Sequence, residues 1–108
     1  EYGRVRILAA LVNPMGPDRG LESITIINIT SQPIDLKGWS LADSEKKKAP
    51  LSGILKAGQT MVFSVPGTAI ELPNDGGIIT LLDNKGLKVH GVSYTAKDAA
   101  KEGWTVVF

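Results

Sequence analysis

The chain contains one histidine, His90, and no cysteine. Thiol nucleophiles, disulfides and thiolate zinc sites are therefore excluded. A serine hydrolase needs a base beside its nucleophile, yet no Gly-x-Ser-x-Gly elbow accompanies His90. The residues assign His90 to the solvent face, beside a strand irregularity. Asp18, Glu22 and Asp43 fall near the ends of strands that could be neighbours. Hard cations such as calcium want several such oxygens, but this spacing matches no EF-hand loop, and turn chemistry is the expected role. Lys46, Lys47 and Lys48 place three ammonium groups at a hairpin tip. They could neutralise about two or three phosphates, each contributing roughly −0.9 to the slope of log K against log salt. Asp43 and Glu45 precede them and no aromatic ring lies among them to stack on a base. Solvation and protection of a strand end is the expected role, and tight nucleic-acid binding is not expected. The triplet Asn28-Ile29-Thr30 has the form of a glycosylation acceptor but falls within a strand. No catalytic residue, metal or cofactor is assigned.

These side chains must be carried by short strands. RVRILAALV (4–12), LESITIINI (21–29), TMVFSV (60–65), IITLLD (78–83), LKVHGVSY (87–94) and WTVVF (104–108) are separated by segments rich in Gly, Pro, Asn and Asp. Short apolar runs punctuated this way predict an antiparallel sandwich or barrel. One segment departs from the pattern. In YTAKDAAKEGW, Thr95 and Asp98 have capping spacing, Ala96–Glu102 are good helix formers, and Gly103 suits a left-handed C-terminal position. A short helix before the last strand is expected there.

The stretch IDLKGWSLAD (34–43) changes phase in its middle. Ile34 and Leu36 are even-numbered, Trp39 and Leu41 odd-numbered. Alternation would put the two pairs on opposite faces of a regular strand. A one-residue slip with a glycine at its pivot predicts a β-bulge at Gly38, which returns all four to one interior. The alternative is that one strand ends at Gly38 and another begins at Trp39. The same slip recurs about Gly91, between Leu87 and Val89 and then Val92 and Tyr94. Two bulged strands imply a sandwich curling toward a barrel. Trp39, Leu41 and Trp104 are expected in the core or as lids over it.

At 108 residues the chain suffices for one domain, and 43% apolar composition suits a globular interior. A net charge of +1 provides no global field for nucleic acid or membrane surfaces. The longest apolar run, Ile7–Val12, falls far short of the roughly 20 residues of a membrane-spanning helix, so no membrane insertion is expected. The chain begins at Glu1 without methionine. It is therefore expected to be either processed or, by preference, cut from a larger protein. Its partners would then be the preceding domain of that protein and a further protein not yet identified; the compartment is left open.

The run NPMGPDRGLESITIINITSQPIDLKGWSLAD resembles the front half of the lamin tail domain family, through Asn13, Pro14, Gly16, Glu22, Asn28, Leu36, Gly38, Trp39, Leu41 and Asp43. NDGGIITLLDNKGLKVHGVSY is similar to its second half, although the family usually has an acid where this chain has His90. The C-terminal GVSYTAKDAAKEGWTVVF also resembles the end of bacterial YukJ-like proteins of unknown function, in which such a domain closes the chain; that resemblance implies that 1–108 is one lamin-tail-like domain, the C-terminal module of a longer chain. The resemblance implies an all-β, immunoglobulin-like antiparallel sandwich, and a non-catalytic binding or tethering module of a larger bacterial protein. Surface loops or an exposed sheet edge would carry the contact. The alternatives are a weak nucleic-acid-binding accessory domain, suggested by Lys46–Lys48, and, least supported, a small hydrolase.

Overall fold

Apolar alternation over short runs favours extended strands. The computed structural model describes residues 2–13, 22–65 and 70–108, and among these every regular element is β. The strands are β1 (Val5–Leu11), β2 (Ser23–Asn28), β3 (Ile34–Asp35), β4 (Ser40–Ala42), β5 (Lys48–Pro50), β6 (Ile54–Leu55), β7 (Thr60–Ser64), β8 (Gly76–Leu82), β9 (Lys88–Thr95) and β10 (Val106–Val107). One four-stranded sheet has the order β10-β1-β2-β7 and another β5-β4-β8-β9, with β3 and β6 forming a two-stranded sheet. All pairings are antiparallel. The core draws Val5 and Ile7 from β1, Ile24 and Ile26 from β2, Leu41 from β4, and Ile79 and Leu81 from β8.

The phase slip at Gly38 is a turn, not the expected bulge. Trp39 N donates to Leu36 O at 2.9 Å, and Gly38 holds φ at +81°, a value that a side chain disfavours. β3 and β4 on either side belong to different sheets. A bulge keeps both halves of a strand in one ladder; this turn hands the chain from one sheet to the next. Leu36, Trp39 and Leu41 are all buried, so the slip still serves one interior.

The second slip is a bulge, centred two residues before Gly91. Register passes from Leu81↔His90 to Leu82↔Lys88, leaving Val89 as the extra residue. A further bulge, which the sequence reading did not include, lies at Leu8. There Ile7↔Ile26 is followed by Ala9↔Thr25, and the buried positions change from Val5 and Ile7 to Ala10 and Val12.

The expected helix over Ala96–Glu102 is absent; the segment forms turns. Its start is written as expected. Asp98 Oδ2 accepts from Thr95 N at 2.7 Å and Asp98 N donates to Thr95 Oγ1 at 3.3 Å. Propagation fails because Asn13 intervenes. A helix would bond Gly103 N to Ala99 O. Here Ala99 O accepts from Asn13 Nδ2 at 2.8 Å, and Gly103 N donates to Asn13 O at 2.7 Å. The segment is too short to offset nucleation once that bond is diverted.

Asn28, at the end of β2, is wholly buried. Its Nδ2 donates to Gln32 O at 2.8 Å and Leu55 O at 2.9 Å. Its Oδ1 accepts from Thr30 N and Thr30 Oγ1 at 2.9 and 2.7 Å. Its backbone N–H and C=O bond Gln59 O and Gly58 N. One residue thus ties β2 to β6 and to the turn entering β7, and its amide is unavailable for glycosylation in the folded state. Asn28→Ala leaves Leu55 O buried without this donor, and is expected to cost about 3 kcal/mol in urea unfolding, against about 1 kcal/mol for Thr30→Ala. Equal losses would show that Asn28 is not a hub.

Candidate functional site

The candidate residues fall into three places: the β4–β5 tip, the seam between β1 and β9, and the sheet edges. At the tip, Asp43 is buried, and its Oδ1 accepts from Glu45 N and Lys47 N, each at 2.9 Å. Its Oδ2 accepts from Glu71 N at 3.0 Å. The β8–β9 loop repeats the design, with Asp83 Oδ1 accepting from Lys85 N at 2.8 Å and Leu87 N at 3.0 Å. The Leu87 amide, acting against burial and helped by the Lys85 amide, holds the Asp83 pKa below its ordinary 3.8. In both loops the fourth residue donates to the aspartate C=O and is left-handed: Gly86 at +77° and Lys46 at +65°. These are three-residue hairpin loops whose last residue favours glycine.

The carboxylate oxygens of Asp43 are thus engaged by backbone N–H groups. Glu22 is buried just before β2, and Asp18 lies outside the described residues. Among the described residues, no group of three His, Asp or Glu side chains is placed to hold a metal ion. The lysines diverge. Lys46 and Lys48 line a hollow of about 290 Å³ with Ala42, Asp43, Thr80 and Leu82, whereas Lys47 Nζ lies 3.9 Å from Glu45 Oε2 with both side chains exposed.

His90 is half-buried rather than on the solvent face as expected. It pairs with Leu81, which is fully buried on the inner face of its sheet, and the Val89 bulge lets consecutive residues point inward. Its Nδ1 accepts from Ile7 N at 3.0 Å, so Nδ1 carries no proton and Nε2 does. The imidazole stands in for a strand carbonyl where β1 runs past the end of β10. Gly3 N donates to Val89 O along the same seam. Burial, then the positive charges of Arg6 and Lys88, depress the His90 pKa below its ordinary 6.5. His90 also lines an open cleft of about 430 Å³, together with Arg6, Leu8, Ile29, Val92 and Phe108.

The edges differ in how they are closed. On β5, Ala49 is the residue bonded to β4, since Asp43 N→Lys47 O and Leu51 N→Trp39 O fix the alternation. Lys48 and Pro50 therefore face outward, one charged and the other without an N–H. β10 is two residues long, and β9 lies against β1. β7 has none of these devices. Val65 N→Glu22 O and Asn28 N→Gln59 O assign Met61 and Phe63 to the β2 ladder. The N–H and C=O of Thr60, Val62 and Ser64 point outward, and among the described residues no strand pairs with them. Val62 is 64% exposed.

The remaining assigned residues divide. Trp39 is buried beneath the Arg4 guanidinium, 5.1 Å from its ring, and Leu41 is fully buried. Gly91 is not left-handed; its missing side chain makes room for Lys88, whose Cε a Cβ would meet at 2.7 Å. Trp104 corrects the expectation of a core or lid residue. It is 64% exposed, its ring covered by Lys101 Nζ at 4.2 Å, because the turn that ends at Gly103 directs it outward.

These features define an all-β domain of antiparallel sheets, consistent with an immunoglobulin-like sandwich. The Lamin Tail Domain family model matches residues 1–96, and the chain belongs to that family. Comparison with curated proteins finds no match. The match ends before the 97–103 turns and β10.

Two outcomes follow. Lys46→Gly relieves the left-handed strain at the tip and is expected to raise unfolding stability by about 1 kcal/mol; a loss would mean that the lysine side chain contributes more than the strain costs. For His90, the unfolded chain takes up a proton near 6.5 while the folded chain resists it. The stability that His90 contributes is therefore complete above that pH and lost as pH falls toward the lower folded value. His90→Asn keeps an acceptor near the Nδ1 position but cannot titrate. Its unfolding free energy is expected to vary less than wild type between about pH 7 and 5. Parallel pH profiles would remove His90 from the seam's energetics.

Proposed function

We propose that this chain is a non-catalytic binding or tethering module of a larger bacterial protein, and that it acts by adding an extended segment of a partner to the free edge of β7. The observation that carries the reading is the contrast among edges. β5 is guarded by Lys48 and Pro50, β10 is minimal and β9 meets β1 through Gly3 N→Val89 O and the His90 imidazole, while β7 presents Thr60, Val62 and Ser64 without a charge, a proline or a bulge. Unguarded edges invite pairing, and proteins ordinarily blunt them. Main-chain bonds to an added strand supply affinity, and alternate side chains supply selectivity. Membership of the lamin tail domain family supports a non-enzymatic role. The finer assignment of an immunoglobulin-like sandwich belongs to the same reading.

A nucleic-acid accessory role rests on Lys46 and Lys48 sharing one hollow. Two ammonium groups there, beside a Lys47 already near Glu45, support only weak and salt-sensitive contact.

Peptides selected from a random library on this chain test the choice. They are expected to read as alternating β-formers, and to bind Val62→Pro about tenfold or more weakly than wild type, since the substitution deletes an outward N–H. Circular dichroism confirms that the variant remains folded. Peptides indifferent to Val62→Pro overturn the edge reading. Sub-micromolar DNA binding at about 0.15 M salt, abolished by changing Lys46, Lys47 and Lys48 to Ala, puts the nucleic-acid reading first.

A further inference from the structure

We infer that the β7 edge is built to pair with β7 of a second copy of this chain, in an antiparallel two-fold dimer centred on Val62. The inference rests on the strand-addition reading above and names the partner. Three observations carry it.

The first is register. The outward-facing residues are Thr60, Val62 and Ser64, spaced evenly about Val62. In an antiparallel pair, two opposed residues exchange both backbone bonds only where both face the gap. Placing Val62 opposite Val62 of the second copy puts Thr60 opposite Ser64 and Ser64 opposite Thr60. Every outward group then meets an outward group, with nothing left over. A closed two-fold interface needs a surface complementary to itself in this way.

The second is side-chain chemistry. TMVFS is nearly symmetric about its centre. On the outer face, Val62 meets Val62, and Thr60 meets Ser64, a hydroxyl pair of the kind that stabilises cross-strand neighbours. On the inner face, Met61 meets Phe63. Both are half-buried at the open end of the core, and each would cover the other. The pairing joins the β10-β1-β2-β7 sheets of two copies into one sheet with both inner faces on the same side.

The third is charge. Ala57 to Ile70 contains no charged residue. Two identical edges face like against like, so any lysine or glutamate on β7 would repel its own copy. β5 shows the opposite choice, with Lys48 facing outward.

The contact is five residues long, so the dimer is expected to be weak and reversible. Sedimentation equilibrium over a concentration series reaching the millimolar range tests it. Wild type is expected to dimerise, and Val62→Lys and Val62→Glu each to weaken association by about tenfold or more, through like charges directly opposed. An equimolar mixture of the two variants is expected to recover association, because Lys then faces Glu. Thermal unfolding of each variant alone shows that the fold is kept. A wild type that stays monomeric throughout, variants that dimerise as well as wild type, or a mixture that recovers nothing overturns the inference. Failure of this pairing is separable from failure of the underlying reading. If wild type stays monomeric while β7 still captures selected peptides, and Val62→Pro loses them, only the second copy is excluded.

Discussion

A single buried amide organises the joints of this domain. Asn28 spends each donor and acceptor it owns on three different segments. Removing polar groups from water costs free energy unless every one is bonded, so the segments around Asn28 are held in one relative placement. The consequence reaches β7. Gly58 and Gln59 are fixed through the Asn28 backbone, and that fixes which residues of the following strand turn toward β2 and which turn outward. The register of the open edge is thus set from the end of its neighbour.

The two aspartate loops show the same economy. Asp43 and Asp83 each fold a hairpin tip around one carboxylate oxygen. Each closure commits a carboxylate oxygen to backbone N–H groups, and around the Asp43 tip Lys46 and Lys48 share one hollow while Lys47 turns toward Glu45.

Much of the architecture was legible in the residues. Alternation and turn composition indicate antiparallel strands, and the phase change about Gly38 marks a point where the chain must be redirected. Local pattern alone does not separate a bulge from a turn, because both return Trp39 and Leu41 to the interior; only the ladder partners of β3 and β4 decide. The bulge at Leu8 was hidden because Ile7–Val12 is apolar throughout, which erases the phase. Three further features depend on residues remote in sequence. Asn13 splits the bond that a helix over 96–102 would need, Ile7 draws His90 inward from 83 positions away, and Lys101 caps a Trp104 that composition alone would bury. The open edge of β7 was foreseeable only as a general possibility, since guarding by Lys48 and Pro50 has meaning once neighbours are known.

β1 meets two different partners along one flank, the His90 imidazole at Ile7 and β10 at Ala9 and Ala10. The β10 pairing is antiparallel, so the chain enters β1 and leaves β10 on the same side of the molecule. A pull on those two points loads the bonds between the strands one after another, as a zipper opens, rather than all together in shear. The pairing holds two residues, Ala9↔Val107 and Ala10↔Val106, with Phe108 N→Leu8 O beside it, so few bonds share that load.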